Sequence, residues 1–448
     1  MSTTNETRHS KIAAPRTVEA SRDQQRVAKS LWPVSAAPNG KAAIEQLKDR
    51  LREDRVTRLA LMFLDRYEGI HLKDTVVDWM DDQRRLRMCG KTAINFGCDS
   101  LLGLDRDPRV QQALVDSLEE WGLHNGASRA FHNAALCEEA EHRLARWLNV
   151  EDTLIYPSVT LANVGLLPAL AGKGDLLVVD RQSHDTLWQG AKIAAQEGAT
   201  LKELNPCTGE ALRKILESED YEACVVAVDG VYSMTGDIPP LDELDRVTRE
   251  FGGILYVDDA HGTAVVGPHG RGATAMMLGS LTNVLMVGSL SKAFSCLGAF
   301  VTCDRPLKRM LKIRSSTFVF GGPVPPPYLA AIIRVCDLIE SPEFDEILGR
   351  LRSRVRQLTD GIRSIGLKMT GGKSAVISVT VGDIEQTLKA GKWLFDRGFY
   401  VQSATYPAVP LMGGILRVQV NAIHSVEAID RLLDALEGLK TAFQLPTV

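Results

Sequence analysis

The chain has 448 residues, of which 45% are hydrophobic and 24% charged, and its formal net charge at pH 7 is −4. This length exceeds one ordinary hydrophobic core, so two or three lobes are expected. Basic runs interleaved with aromatic residues do not occur, nor does an apolar run of the roughly 18 residues that a membrane span needs. The sequence therefore gives no support to a nucleic-acid partner or to a membrane span.

Eight cysteines are scattered along the chain without a C-x-x-C pair. This spacing argues against structural zinc and against a disulfide framework, and it fits a reducing cytoplasm. Residues 1–40 are polar and contain three prolines, so they are predicted to form a flexible leader. They lack the apolar core of a signal peptide, and acidic residues at positions 6, 19 and 23 argue against a transit peptide.

Apolar positions at helical spacing predict a helical N-terminal arm over residues 41–92, packed on the body or on a second subunit. Residues 93–328 then alternate between short apolar strands and helices. A short strand and turn are predicted at 93–104, and a helix opens at 107–114. Further strands are predicted at 153–156, 176–179, 224–228, 253–257, 284–287 and 298–302, and helices at 137–148, 161–171 and 186–197. This alternation predicts a large α/β domain with a mostly parallel sheet covered on both faces.

The character of the chain changes after a proline-rich segment at 323–327. A long helical stretch follows over 329–365, broken near Ser341 and Pro342. Strands are then predicted at 375–381, 400–403 and 415–420, and helices at 386–397 and 426–443. Residues 329–448 are therefore predicted to form a smaller C-terminal α/β domain.

Two charged residues end neighbouring apolar strands of the large domain. Asp258 follows one strand, with His261 three residues later, and Lys292 follows the next strand between small hydroxyl residues. The carboxyl ends of parallel strands meet at one edge of a sheet, where ligands bind. Pyridoxal phosphate needs this pair, because a lysine binds its aldehyde and a carboxylate keeps its pyridine nitrogen protonated. Taken singly, a lysine at a helix start and an aspartate at a helix N-cap are the ordinary alternatives.

Several motifs in order extend this pattern. They are Gly230–Asp237, Asp258–His261, Gly267–Gly272, Ser289–Lys292, Tyr406–Pro410 and Leu416–Arg417. With them, about residues 90–440 of the chain resemble the α-oxoamine synthases. The resemblance implies an α/β fold of the aspartate aminotransferase type (fold type I of the enzymes that use pyridoxal phosphate). It also implies a homodimer with active sites shared at the subunit interface.

The family's catalytic roles fall on residues of this chain. Lys292 matches the lysine that binds the cofactor covalently, and Asp258 matches the partner of the pyridine nitrogen. His261 and Ser233 match polar contacts to the ring hydroxyl, and His184 matches the histidine that stacks on the ring. For an isolated histidine at a strand end, a plain surface position remains the alternative.

The resemblance also implies the phosphate and substrate contacts. Ser158, Val159 and Thr160 lie at a predicted helix start, where free N–H groups favour a phosphate, and Ser289 adds a hydroxyl to that group. Arg417 matches the arginine that takes the amino-acid carboxylate, a task suited to its two-donor fork. Ser100 is counted with the substrate contacts, although the family usually has an asparagine–tyrosine pair at Ser100–Leu101.

The activity implied by the resemblance is the condensation of an amino acid with an acyl thioester, on coenzyme A or a carrier protein, with loss of CO₂. The product is an α-amino ketone. Transamination or simple decarboxylation on the same scaffold is an alternative, because the same lysine, aspartate and arginine serve those reactions. A non-catalytic partner subunit is a further alternative, although such subunits lack the lysine that this chain has at position 292.

Overall fold

The computed structural model describes residues 42–448 and divides the chain into two units, with the boundary after Arg66. The predicted leader, residues 1–40, lies outside the described residues. The described part of the first unit is two helices, α1 (Ala43–Glu53) and α2 (Arg55–Arg66). Between them the carboxylate of Asp54 accepts the backbone N–H of Thr57 at 2.9 Å. Helices therefore do form in the first half of the predicted arm.

The prediction of helix in the second half of the N-terminal arm is wrong. Strands β1 (Val77–Met80), β2 (Arg85–Met88) and β3 (Lys91–Asn95) form an antiparallel meander there. Along β2, Leu86 and Met88 are buried while the two arginines between and before them are exposed. This alternation has the period of two that a half-buried strand requires. A helix would have placed the same residues on different faces.

The large sheet has seven strands in the order β4-β10-β9-β8-β7-β5-β6. These strands are β4 (Asp152–Tyr156), β5 (Leu176–Asp180), β6 (Thr200–Leu204), β7 (Cys224–Asp229), β8 (Ile254–Asp258), β9 (Val284–Ser289) and β10 (Ala299–Cys303). The pairings from β9 through β6 are parallel, and β10 runs antiparallel to β4 and β9. The predicted, mostly parallel α/β sheet is confirmed. The sequence pattern missed β6, an edge strand that is partly exposed.

Helices cover both faces of this sheet. They are α3 (Pro108–Trp121), α4 (Ala135–Leu148), α5 (Val159–Leu170), α6 (Asp185–Gln196), α7 (Gly209–Ser218), α8 (Leu241–Glu250), α9 (Gly272–Leu278), α10 (Arg305–Arg314) and α11 (Ser316–Phe320). Leu255 and Val257 of β8 pack in one hydrophobic cluster, whereas Tyr256 between them packs in another. Because adjacent side chains on a strand point to opposite faces, the two clusters are the two faces of the sheet.

The C-terminal part begins with α12 (Pro326–Ile339) and α13 (Pro342–Ile365). Pro342 occupies the first turn of α13, which explains the predicted break at this point. Then follow β11 (Met369–Gly371), β12 (Val376–Gly382), α14 (Ile384–Asp396), β13 (Phe399–Tyr400), β14 (Gln402–Ala404), β15 (Gly414–Gln419) and α15 (Val426–Phe443). The small sheet has the antiparallel order β11-β12-β15-β14, and β13 extends the sheet of β1–β3.

All eight cysteines are free thiols. Within residues 42–448 no group of acidic, cysteine or histidine side chains has the arrangement of a metal site. Over the same residues, none of the helices combines the length and the apolar character needed to traverse a bilayer.

Candidate active site

Acidic residues end three neighbouring strands of the large sheet at its carboxyl edge. Asp180 ends β5, Asp229 ends β7 and Asp258 ends β8, and all three are buried. Because parallel strands place their carboxyl ends together, this edge gathers buried polar groups next to the loops that follow the strands. The site is built on this edge.

A cavity of about 200 Å³ opens there. Its lining includes eight residues predicted from the sequence: Ser158, Val159, Thr160, His184, Ser233, Asp258, His261 and Lys292. It also includes four that the sequence reasoning missed: Asp229, Val231, Ala260 and Ser291. Four other cavities formed by the described residues are larger, at about 280, 480, 550 and 710 Å³, but none of these four combines a lysine with a carboxylate and a histidine. The chemistry, rather than the size, identifies the site.

The N-terminus of α5 forms one wall of the cavity. Ser158 caps this helix, and its hydroxyl accepts the N–H of Leu161 at 3.1 Å. Val159 and Thr160 form the first turn, where backbone N–H groups have no intrahelical partner and the helix dipole is positive. Both residues line the cavity. This wall therefore suits a phosphate group.

Ser289, the last residue of β9, lies just behind the lining. Its hydroxyl is 3.1 Å from that of Ser291, which lines the cavity, and accepts the Ser291 backbone N–H at 3.2 Å. Ser289 is fully buried. The predicted hydroxyl contribution next to Lys292 thus has two candidates, and Ser291 is the one that reaches the cavity.

The carboxylate of Asp258 is held in a fixed position by neighbouring donors. The side-chain amide of Asn163 donates to one oxygen at 2.7 Å, and the backbone N–H of Ala260 donates to the other at 3.1 Å. The hydroxyl of Tyr256 in turn donates to the carbonyl of the Asn163 side chain at 2.8 Å. These buried contacts fix a carboxylate at the wall of the cavity.

Hydrogen bonds hold both the ring and the backbone of His184. Its Nδ1 lies 2.8 Å from the Thr186 hydroxyl and accepts the Thr186 backbone N–H at 3.3 Å, so the ring caps α6. Its backbone N–H donates to Asp229 at 3.0 Å. Burial, with the nearby charge of Asp258, raises the pKa of Asp229 well above its ordinary range. The raised pKa means that Asp229 holds its proton to a higher pH than an exposed aspartate does.

His261 is a neutral imidazole at the cavity wall. Burial lowers its pKa well below the ordinary value, and the neighbouring charges of Lys292 and Arg417 lower it further. Among the described residues, its buried Nδ1 has no hydrogen-bond partner. Because buried polar atoms are nearly always bonded, an unpaired ring nitrogen in a cavity wall indicates a ligand group at that point.

Arg417 lies on β15 of the small sheet, beside the cavity rather than in its lining. Its Nε donates to the backbone carbonyl of Ser233 at 2.6 Å, and its Nη1 donates to Oε1 of Gln402 at 2.6 Å. Its Nη2 is 3.7 Å from a carboxylate oxygen of Asp99. Burial lowers its pKa. The contact with Ser233, which does line the cavity, places the guanidinium at the site's border.

Ser100 is not brought to this cavity. Its hydroxyl donates to Asp105 at 2.5 Å, accepts from Arg84 at 2.8 Å and lies 2.5 Å from the hydroxyl of Ser295. Arg84 is fully buried and also pairs with Asp105. A substrate contact by Ser100 stays a prediction, because its hydroxyl is already engaged by this ion pair.

The residues present fit pyridoxal phosphate. The helix N-terminus suits its phosphate, Asp258 suits its pyridine nitrogen, and Lys292 supplies an amine for its aldehyde. The unpaired Nδ1 of His261 offers a hydrogen-bonding atom for a polar ring substituent.

Comparisons with known proteins decide the family. The model of the aminotransferase class I and II family matches residues 91–436. The 8-amino-7-oxononanoate synthase of Geotalea daltonii is 32% identical over 360 residues, which cover 80% of this chain and 91% of that protein. The chain belongs to the α-oxoamine synthases of this aminotransferase family. The resemblance predicted from the motifs is confirmed.

Solved structures agree with this α-oxoamine synthase assignment. Serine palmitoyltransferase from Sphingomonas wittichii superposes with a TM-score of 0.81 at 27% identity, covering 87% of this chain and 98% of that one. A serine palmitoyltransferase from S. paucimobilis, solved with PLP and myriocin bound, gives a TM-score of 0.79 at 26% identity, with coverage of 85% and 99%. These likenesses confirm the predicted fold, that of enzymes that use pyridoxal phosphate.

Proposed function

We propose that this α-oxoamine synthase condenses an amino acid with an acyl thioester, releasing CO₂ and the free thiol and forming an α-amino ketone. One observation carries the proposal: Lys292, Asp258 and His261 line a single cavity, and Arg417 contacts its border through Ser233. Pyridoxal phosphate, when bound, supplies the electron sink for the reaction. The alternatives considered from sequence have no structural feature that favours them over this one.

Each of these residues has a distinct task. Lys292 holds the cofactor and then removes and returns the proton at the amino-acid Cα. With the cofactor bound, Asp258 would keep a proton on its pyridine nitrogen, and neutral His261 would donate or accept a hydrogen bond at its ring hydroxyl. His184 would lie against the cofactor, and Arg417 would bind the carboxylate of the amino acid.

The overall reaction balances without an oxidant or a reductant. The Cα of the amino acid loses its proton to the Lys292 amine and forms a bond to the thioester carbonyl carbon. The C–S bond breaks, and the thiolate leaves and takes up the proton that the ammonium group of the amino acid gives up. The carboxylate leaves as CO₂, and a proton returns to Cα from Lys292.

Product analysis tests the proposed function. Purified protein loaded with pyridoxal phosphate is given a panel of amino acids with acyl-CoA thioesters of increasing chain length. Thiol, CO₂ and amino ketone are expected in equal amounts for at least one combination, measured by thiol reagent, labelled CO₂ and mass spectrometry. A keto acid without thiol release would indicate transamination, and CO₂ without thiol would indicate simple decarboxylation.

We also propose that two copies of the chain form a homodimer that shares the active sites. In support, Leu123, Phe131 and Phe320 have side chains that are at least three-quarters exposed. The segments carrying the two phenylalanines are adjacent, because the Ser128 hydroxyl donates to the carbonyl of Val319. An apolar surface of this kind is typical of an interface. Light scattering at low micromolar concentration is expected to give twice the chain mass of 49.0 kDa.

The cytoplasm is the compartment that we propose for this enzyme, and acyl-CoA is the proposed thioester. All eight thiols are unpaired, as a reducing compartment requires. Fractionation of the source cells checks the location. Parallel assays with acyl-CoA and an acyl carrier protein check the donor.

A further inference from the structure

Protein acceptors surround the guanidinium of Arg417. Nε is bonded to the carbonyl of Ser233, Nη1 is bonded to Gln402, and Nη2 is at ion-pair distance, 3.7 Å, from Asp99. The Arg417 side chain is only 5% exposed. Nε has a single N–H, which Ser233 takes, so a substrate carboxylate that binds this arginine through two oxygens must use Nη1 and Nη2 and thereby shares Nη2 with Asp99.

Two of these partners are fixed by the fold. The carbonyl of Ser233 belongs to the backbone of a cavity-lining loop. Gln402 lies directly opposite Arg417 in the pairing of β14 with β15, and its Nε2 donates to the carbonyl of Gly97 at 3.1 Å. Neither leaves the arginine without breaking other hydrogen bonds.

The third partner is different. The Asp99 side chain is 41% exposed, and it is the negatively charged member of the three. Its carboxylate accepts a hydrogen bond from the side-chain amide of Gln419, two residues after Arg417 on the same face of β15. Asp99 is thus held beside Nη2 on the side that solvent reaches.

We propose that Asp99 is a specificity-determining residue, because its carboxylate competes with the amino-acid carboxylate for Nη2 of Arg417. This proposal rests on the proposed function, in which Arg417 binds the substrate carboxylate. The competition weakens the binding of every amino acid. It also disfavours amino acids with a second carboxylate, because like charges close together repel each other.

Replacing the charge tests the proposal. In Asp99→Asn, loaded with pyridoxal phosphate, the dissociation constants of glycine, alanine, serine, aspartate and glutamate are measured by calorimetry and by the change in cofactor absorbance. We expect affinities at least about fivefold higher for the neutral amino acids, with a larger gain for aspartate and glutamate. Cofactor affinity is expected to stay the same.

A matched variant controls for the loss of one negative charge. Asp360 on α13 is 71% exposed and, among the described residues, pairs with Arg363 three residues along the helix. Asp360→Asn is expected to leave all five dissociation constants within twofold. Asp99→Ala, which cannot accept from Gln419, is expected to shift affinity in the same direction as Asp99→Asn.

Unchanged or weaker amino-acid binding in both Asp99 variants would overturn the proposal, since it would make Asp99 a support for Arg417 rather than a competitor. The binding measurement needs no thioester. If no thioester gives product, the proposed condensation fails while the comparison of affinities still decides the role of Asp99. If condensation proceeds and affinities do not change, only the role of Asp99 fails.

Discussion

Asp229 and Asp258 are direct register partners at the carboxyl ends of the adjacent parallel strands β7 and β8. Both are buried and both line the same cavity. Two buried carboxylates at such positions do not both ionise at low cost, and burial together with the nearby charge of Asp258 raises the pKa of Asp229.

This pair gives a prediction for two conservative substitutions. Asn is a neutral group of the same shape as protonated aspartate, so Asp229→Asn is expected to keep kcat/KM at pH 7 within about threefold. Asp258→Asn removes the charge at the pyridine nitrogen and is expected to lower kcat/KM by about 10²–10³-fold. Steady-state kinetics on both variants check this. Equal losses would contradict the assignment of the charge to Asp258.

The same substitution changes stability with a defined sign. Unfolded Asp229 loses its proton above about pH 3.9, while the folded protein holds it to a higher pH because burial raises the pKa, so stability falls as pH rises between these two values. Asp229→Asn has no proton to keep and is expected to melt at a higher temperature than the original protein at pH 8. Melting curves from pH 5 to 8 measure this, and a gain that does not grow with pH would contradict it.

Lys292 is expected to be the covalent attachment point of the cofactor. After borohydride reduction, the peptide containing Lys292 is expected to carry the mass of the pyridoxyl phosphate group. Lys292→Ala is expected to lose this label and at least about 10³-fold in activity, because the same amine also moves the Cα proton. Lys214→Ala, at an exposed lysine paired with Glu210 on α7, is the control and is expected to keep both.

A buried histidine in the C-terminal part predicts acid sensitivity. Burial lowers the pKa of His424 to about 4, its Nδ1 accepts the N–H of Asn421, and its ring lies 4.1 Å from that of Phe96. Below pH 6.5 the unfolded chain takes up a proton that the folded chain refuses until about pH 4. Stability is therefore fully present above pH 6.5 and falls by about 1.4 kcal/mol per unit between these values.

Comparison with a variant isolates this histidine. His424→Gln is expected to be less stable at pH 7, but its urea midpoint is expected to fall less steeply between pH 6.5 and 4.5. Some dependence of the urea midpoint on pH will remain, because His261 also has a lowered pKa. Parallel curves for the two proteins would show that His424 does not cause the acid sensitivity.

Glu141 on α4 predicts a large loss of stability. It is fully buried, lies 2.8 Å from Arg129 and 2.9 Å from Lys308, and accepts the backbone N–H of Ile155 on β4. Glu141→Gln leaves the buried Arg129 without its ion-pair partner, while Lys308 keeps Asp152, and this is expected to cost about 3–5 kcal/mol in urea unfolding. The control is Glu250→Gln, at an exposed pair with Arg213, where little change is expected.

The catalytic edge could be predicted because its strands are recognisable in the sequence. Asp258 and Lys292 both follow continuous apolar runs, and parallel strands bring such residues together. The same argument could have found Asp229, which directly follows the predicted strand 224–228. It was missed because no motif drew attention to Asp229, whose carboxylate accepts the backbone N–H of His184.

Other features could not be predicted from the sequence pattern. In β1 and β2 the strand period is short and weak, since only Leu86 and Met88 alternate clearly, and helical spacing outside the strands dominated the pattern. The pairing of Asp99 with Arg417 joins residues more than 300 positions apart, and it depends on how the small sheet is placed beside the loop after β7. Such contacts follow from tertiary packing, which local periodicity does not contain.

The 2.6 Å bond from Arg417 to the carbonyl of Ser233 ties the small sheet to a loop of the large one. The hydroxyl of Ser378 on β12 adds a second tie to the same loop, at the carbonyl of Met234. An amino acid that shifts the guanidinium of Arg417 on binding therefore also strains these hydrogen bonds between the small sheet and the loop of the large one. Amino-acid binding and the relative tilt of the two sheets are therefore coupled. Substitutions deep in the small sheet are expected to change the contacts made to the cofactor.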